Sequence, residues 1–196
     1  MAFLRNLFKY KRTAQPPFEE SRKYWLEEEL RKIERALDSM VTTYNPSYIG
    51  SFYSTEDQSH ATINTPQAIT FNNSMYELGV SIGTPTSRIY LDNPGYYNLE
   101  FTAQFSKTSG SSGEAKLWIR YNGVDLPNSS TTVDSKSNNS FVEAAWNYTG
   151  RAENSGDYVE LMWLVDDISL VLNASPAGAN YPASSSVRLT ITQIGI

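Results

Sequence analysis

Between Asn93 and Asn122 the chain alternates apolar and polar residues. Tyr97, Leu99, Phe101, Ala103 and Phe105 are separated by Asn98, Glu100, Thr102 and Gln104. Successive side chains of a strand point to opposite faces, so this run predicts a strand with one apolar and one wet face. Pro94-Gly95 precedes it as a turn signal. After a small, polar connection at 107–113, Leu117, Ile119 and Tyr121 make a second run. It closes on Asn122-Gly123, a dipeptide suited to the positive φ angles of a type I′ hairpin turn.

The same short period recurs from Ser47 onward. Tyr48 to Tyr53, Gln67 to Phe71, Met75 to Ile82 and Ser87 to Leu91 are strand candidates ahead of the central stretch. Leu126 to Asn139 is rich in Ser, Thr and Asn and reads as a long loop with room for one edge strand. Ser140 to Tyr148 carries Val142, Ala144 and Trp146, and Gly156-Asp157 launches Tyr158 to Val165. Asp166-Asp167 is a further turn, followed by Ile168 to Leu172, and 175–185 is a Pro- and Gly-bearing loop. Val187, Leu189, Ile191 and Ile194 form a last strand, expected to lie centrally in a sheet. Such spacing of short strands predicts a mainly β chain, a ten-stranded antiparallel jelly-roll sandwich preceded by one N-terminal α-helix.

That helix is the one stretch with a different period. Leu26, Leu30, Ile33, Leu37, Met40 and Tyr44 are spaced 4, 3, 4, 3, 4, a heptad seam. Glu27 to Glu29, Arg31, Lys32, Glu34 and Arg35 form a solvated, mixed-sign face, with Glu27–Arg31 and Glu28–Lys32 as i,i+4 pairs. Asn45-Pro46 ends the segment sharply. The seam is too short for a self-sufficient coiled coil. It reads as an oligomer neck whose strands something larger holds together; the competing reading packs it on its own domain. Three segments follow: 1–17 as docking peptide and linker, 18–45 as helix, 46–196 as head.

Residues 1–12 are aromatic and basic, with Phe3, Leu4, Leu7, Phe8 and Tyr10 among Arg5, Lys9, Lys11 and Arg12. A peptide ordering on a partner protein, a mobile tail and a short interfacial membrane helix all fit. The segment lacks an apolar core and a small-residue cleavage site, so it is not read as a secretory signal. No apolar run reaches the length of a membrane span.

Charge narrows the partners. Residues 1–44 carry nine Lys/Arg against seven Asp/Glu, and 45–196 carry seven against fourteen. An acidic body disfavours nucleic acid. With no Cys and one His, thiolate and His-pair metal sites and a His-based triad are not expected. His60 sits in a polar run and reads as an exposed loop residue. Asp166-Asp167 is the sharpest acidic pair, read as a polar turn ahead of a calcium or glycosidase site. No nucleophile elbow or phosphate loop is present, so no catalysis and no cofactor are expected. Five Asn-x-Ser/Thr sequences, starting at Asn72, Asn128, Asn138, Asn147 and Asn173, suit an Asn/Ser-rich β chain without implying glycans.

Several of these stretches resemble a known family. They are Pro-Gly-Tyr-Tyr at 94–97, Leu-Trp-Ile-Arg-Tyr-Asn-Gly-Val at 117–124, Ala-Ala-Trp-Asn at 144–147 and Gly-Asp-Tyr-Val-Glu-Leu-Met-Trp at 156–163. Ser-Pro-Ala-Gly at 175–178 and Ser-Val-Arg-Leu-Thr-Ile-Thr-Gln-Ile at 186–194 complete the set. Together they resemble the head domain of the tumour necrosis factor and complement globular-head superfamily, in the version found in structural proteins of tailed bacteriophages, marine phages especially. Residues 29–37 also resemble the short helix that opens many phage tail and fibre proteins. The resemblance implies a homotrimeric jelly roll joined through apolar, aromatic-rich faces, located in the virion.

On that footing the expected function is a non-catalytic tail fibre or tail-attached protein. Phe3, Leu4, Leu7, Phe8 and Tyr10 would dock it on other virion proteins, and Leu26, Leu30, Ile33, Leu37 and Met40 would form the trimer neck. Leu99, Phe101, Leu117, Ile119, Leu161, Trp163, Leu189 and Ile191 would fill the head core or the subunit seam. Loops 107–113, 127–140 and 174–185 would offer an adaptable polar surface for host attachment, host glycans included. Two alternatives stay open: a capsid-decoration or tail-tube architectural protein without host contact, and a secreted cytokine-like ligand.

Overall fold

The computed structural model describes residues 19–43 and 48–196, with helix side chains described from 21 to 37. The chain divides into two compact units, Met1–Pro46 and Ser47–Ile196. In the first, the helix α1 spans Glu19–Thr43, 25 residues. Its sequence opens on Glu19 and Glu20, a residue type that suits a helix start.

The second unit is a sandwich of two antiparallel sheets with jelly-roll architecture. The first sheet is built on β1 (Ile49–Ser54), β3 (Asn73–Leu78), β6 (Gly95–Lys107), β10 (Phe141–Ala152) and β13 (Val187–Gly195). Their order is β10-β6-β13-β1-β3, and the short β12 (Leu170–Leu172) also pairs with β6. The second sheet is built on β4 (Val80–Ile82), β5 (Ile89–Leu91), β7 (Gly113–Tyr121), β8 (Val124–Asp125) and β11 (Asp157–Val165). Their order is β4-β5-β11-β7-β8, with β2 (Gln67–Ala68) on β11 and β9 (Thr131–Ser135) on β7. Ten strands thus lie on the two main paths, and three short ones pair alongside.

The period-two runs became strands because alternate residues have a core to fill. On β6 the odd positions 95 to 107 are buried and the even positions face outward. Tyr97, Leu99, Phe101, Ala103 and Phe105 are at most 3% exposed. They meet Ala115, Leu117 and Ile119 of β7, Leu161 and Trp163 of β11, and Leu189 and Ile191 of β13 in one core. The last strand lies centrally: Leu189 of β13 pairs with Phe52 of β1 on one side and Phe101 of β6 on the other.

Several local departures have clear causes. The single run Met75 to Ile82 splits into β3 and β4 at Gly79, whose φ of 63° reverses the chain where a side chain would be strained. Gln67 to Phe71 pairs only over two residues, but Ile69 and Phe71 beyond them are core. Asn122 and Gly123 have φ of 47° and 81°, the paired positive angles of a type I′ turn. Asn122 is locked there as well: its Nδ2 donates to Asp157 Oδ1 at 2.9 Å, and its Oδ1 accepts from Tyr158 N at 2.9 Å.

The outer face of the second sheet carries a row of alternating charge. Glu160 lies opposite Arg120, which donates to Asp125 at 2.7 Å. On its other side the Arg88 guanidinium stands 3.7 Å from Glu160 and 4.5 Å over the Tyr158 ring. Ser87 Oγ donates to Glu160 at 2.8 Å, so a carboxylate only 7% exposed keeps its partners.

Leu189→Ala is expected to destabilise the sandwich by about 3 kcal/mol, because it opens a cavity between three strands that cannot all collapse onto it. The urea midpoint at constant m-value measures it; a change below about 1 kcal/mol contradicts the central placement.

Candidate interaction surfaces

The residues singled out in the sequence fall into three groups. Phe3, Leu4, Leu7, Phe8 and Tyr10 lie outside the described residues, as does the side chain of Met40. Leu26, Leu30, Ile33 and Leu37 are 53, 56, 37 and 54% exposed, an open apolar stripe along α1. Leu99, Phe101, Leu117, Ile119, Leu161, Trp163, Leu189 and Ile191 are all within 3% of complete burial inside one chain. They fill the space between the two sheets of the head.

On the helix, the ion pairs differ from the i,i+4 expectation. Lys32 Nζ reaches Glu29 Oε1 at 2.9 Å, three residues back, and not Glu28. Glu29 is 3% exposed, so it does not belong to the solvated face. A buried carboxylate holds a cation more tightly than an exposed one, and i,i+3 neighbours are as close as i,i+4 neighbours.

The outer face of the first sheet presents polar side chains in cross-strand register. Cross-strand register sets Tyr53, Arg188, Thr102 and Ala145 in one row, and Ser51, Thr190, Glu100 and Asn147 in the next. A recess of about 650 Å³ runs over Glu100, Trp146 and Asn147 to Arg188. A second, of about 550 Å³, continues from Arg188 past Tyr53 to the 174–185 loop. Asp57 pins that loop, accepting from Ala174 N at 2.7 Å and Asn173 Nδ2 at 3.3 Å. Arg188 Nε donates to Ser185 Oγ at 2.7 Å, and its guanidinium has no ion-pair partner among the described residues. Such a surface offers hydrogen-bond donors and acceptors around one cation and two flanking aromatic side chains.

The three loops expected to be polar surface divide. Residues 174–185 are exposed or half-buried throughout. In 107–113 only 108–112 are exposed, because Lys107 and Gly113 belong to buried strand ends. Residues 131–135 of 127–140 are the edge strand β9, and Ser129 and Ser135 are buried.

Lys107 shows why. Its Nζ is fully buried, donating to Asp167 Oδ2 at 2.6 Å and Ser169 Oγ at 2.7 Å. Asp167 Oδ1 accepts from Ser169 N at 2.9 Å, and Asp166 Oδ1 from Glu114 N at 2.6 Å. The two carboxylates therefore fasten a turn to neighbouring strands, each with its own partners. The hydrogen bond from Lys107, with those from Ser169, holds the Asp167 carboxyl down at about 2. Asp157 is also held at about 2: burial pushes it up, but donation from Tyr121, Asn122 and the Asn154 and Glu153 amides outweighs that. Among the described residues no cluster of three or more His, Cys, Asp or Glu is arranged to hold a metal ion. No helix there is long and apolar enough to cross a membrane.

His60 departs from expectation. It is 5% exposed, and its ring stands edge-on to Trp163 with centroids 4.1 Å apart. Burial lowers its pKa, and its Nε2 has no protein partner. A polar neighbourhood in sequence concealed this, because Gln58 ties the segment down. Gln58 exchanges backbone hydrogen bonds with Leu172, and its side chain bridges to Thr70.

Two expected outcomes follow from these pins. Asp167→Ala leaves a buried, uncompensated ammonium and costs about 3 kcal/mol, whereas Lys107→Met leaves a carboxylate that water can reach and costs about 1 kcal/mol. Equal costs in denaturant titration would refute the asymmetry. His60 is neutral in the fold and its pKa lies below the ordinary 6.5. Its contribution is therefore present above pH 6.5 and is lost as pH falls from there through the folded value. His60→Leu should remove that slope in the stability profile, leaving the carboxylate losses that begin below the ordinary 3.8 of Asp157 and Asp167.

No protein-family model matches the chain, and no curated protein matches it. Among solved structures, crystal structures of murine APRIL at pH 8.5, 5.0 and 8.0 are similar at 8% identity, covering 76% of this chain and 99% of that chain. Their TM-scores are 0.47, 0.46 and 0.47. A likeness at that level adds nothing to what the strand order already establishes.

Proposed function

We propose that this chain is a non-catalytic binding protein that works as a bundle of three, as a short tail fibre or tail-attached protein of a tailed phage. In this reading residues 1–17 dock on another virion protein, α1 forms a neck, and the head is held outward for host attachment. The polar face around Arg188 and the 174–185 loop meets surface glycans through many weak contacts, which multivalency adds together.

One observation carries the reading. Four apolar side chains, Leu26, Leu30, Ile33 and Leu37, occupy heptad positions on α1 and stand 37 to 56% exposed in the single chain. An apolar seam of this kind is stabilised by burial against like seams, at about 25 cal/mol per Å². The phage setting is supported by the sequence resemblance of 29–37 and of the head strands.

Light-scattering mass of the full chain tests the reading, with the expected value about three chain masses of 22.0 kDa. Leu30→Asp combined with Leu37→Asp should shift the population toward smaller species or loosen the helix, since charges in a seam are costly to desolvate. A monomeric wild-type chain would remove the neck and the bundle together. A trimer that binds purified host envelope supports attachment, and one that binds only virion proteins points to an architectural role.

A further inference from the structure

The stripe assigns a heptad position to every residue of α1. The step of four from Leu26 to Leu30 and of three to Ile33 makes Leu26 and Ile33 d residues, and Leu30 and Leu37 a residues. Around Ile33, Leu30 and Leu37 set Leu at a beside Ile at d, which favours three or four strands over two; Leu26 at d does not share that pairing. The flanking positions follow. Arg22, Glu29 and Ala36 are g; Glu20, Glu27, Glu34 and Val41 are e.

Those flanks distinguish the two directions in which copies can pack. In a parallel, in-register bundle each g residue faces the e residue five positions on in its neighbour. Among the residues with described side chains the pairs are then Arg22 with Glu27 and Glu29 with Glu34. The first is attractive. The second is like-charged, but Glu29 is 3% exposed and neutralised by Lys32 at 2.9 Å in its own helix. In an antiparallel bundle e faces e and g faces g: Glu27 and Glu34 then meet like charges at e, and the one opposite charge for Arg22 at g is Glu29, which is buried and paired to Lys32 in its own helix. Arg22 and Glu27 are exposed and have no ion-pair partner among the described residues, so both are available to a neighbour.

We propose that α1 docks against two further copies of itself, parallel and in register, with Arg22 of each helix paired to Glu27 of the next. This rests on the three-fold reading above and adds its direction and register.

A charge-swap cycle on the full chain tests it. Residues five apart on a helix point about 140° from each other, so Arg22 and Glu27 cannot touch within one helix. Coupling between them reports on contact between helices. The variants are Arg22→Glu, Glu27→Arg and the double swap, read by light-scattering mass on dilution and by helical ellipticity on heating. Each single variant is expected to lower the helix melting point and weaken association on the order of tenfold or more over three interfaces. The double swap is expected to restore both, and high salt to shrink the differences. A double variant no better than the singles overturns the parallel register while leaving a trimeric wild type, and with it the three-fold reading, intact. A wild-type mass other than three chains overturns both.

Discussion

The head depends on one constraint: β13 must be inserted between β1 and β6. Phe52, Leu189 and Phe101 occupy one row across those three strands, yet they are drawn from opposite parts of the sequence. Neither flanking strand can bury its inner face until the third arrives. β11 plays the same part in the other sheet, between β5 and β7. A sandwich joined this way gains almost all its burial from non-local pairing, so loop-closure entropy is met before contacts repay it. Slow, cooperative closure follows from the topology alone.

Around that frame, polar side chains act as fasteners. Asp57, Asp157, Asp166 and Asp167 each accept from backbone amides that no strand ladder reaches. Each carboxylate satisfies donors that would otherwise be stranded at a turn, which costs more than the bond itself returns. Lys107 and Glu160 extend the logic inward, where a charge survives burial only with its partners in place. Four of the fourteen carboxylates in residues 45–196 thus hold loops in place, while Arg188 stands on the open face of the first sheet.

The sequence was most legible where burial follows a local period. Strand existence along 95–105 and 113–121, the Asn122-Gly123 turn and the existence of α1 all follow from spacing between near neighbours. What escaped depends on distant partners. His60 looks like a loop residue because its neighbours are polar, and only the fold brings Trp163 against it. Lys107 looked like the start of a soluble loop because Ser169 and Asp167 lie sixty residues on. Tyr53 and Arg188 are obscure in the sequence for the same reason, since an outward residue gains meaning only beside its cross-strand neighbours, and Asp57 gains its meaning only beside the loop it pins. The local signal for Arg188 is the polar phase of an otherwise apolar alternation.

The Asn122-Gly123 turn has a consequence for the ageing of the protein. Asparagine before glycine is chemically fragile, because the following amide nitrogen can attack the side-chain carboxamide and expel ammonia. Here both ends of that carboxamide are engaged, one by Asp157 and the other by the Tyr158 amide. Cyclisation would have to break these contacts and turn the side chain back on its own backbone. The fold therefore shields this carboxamide, and conversion at Asn122 in a peptide map would record how long each molecule had spent open.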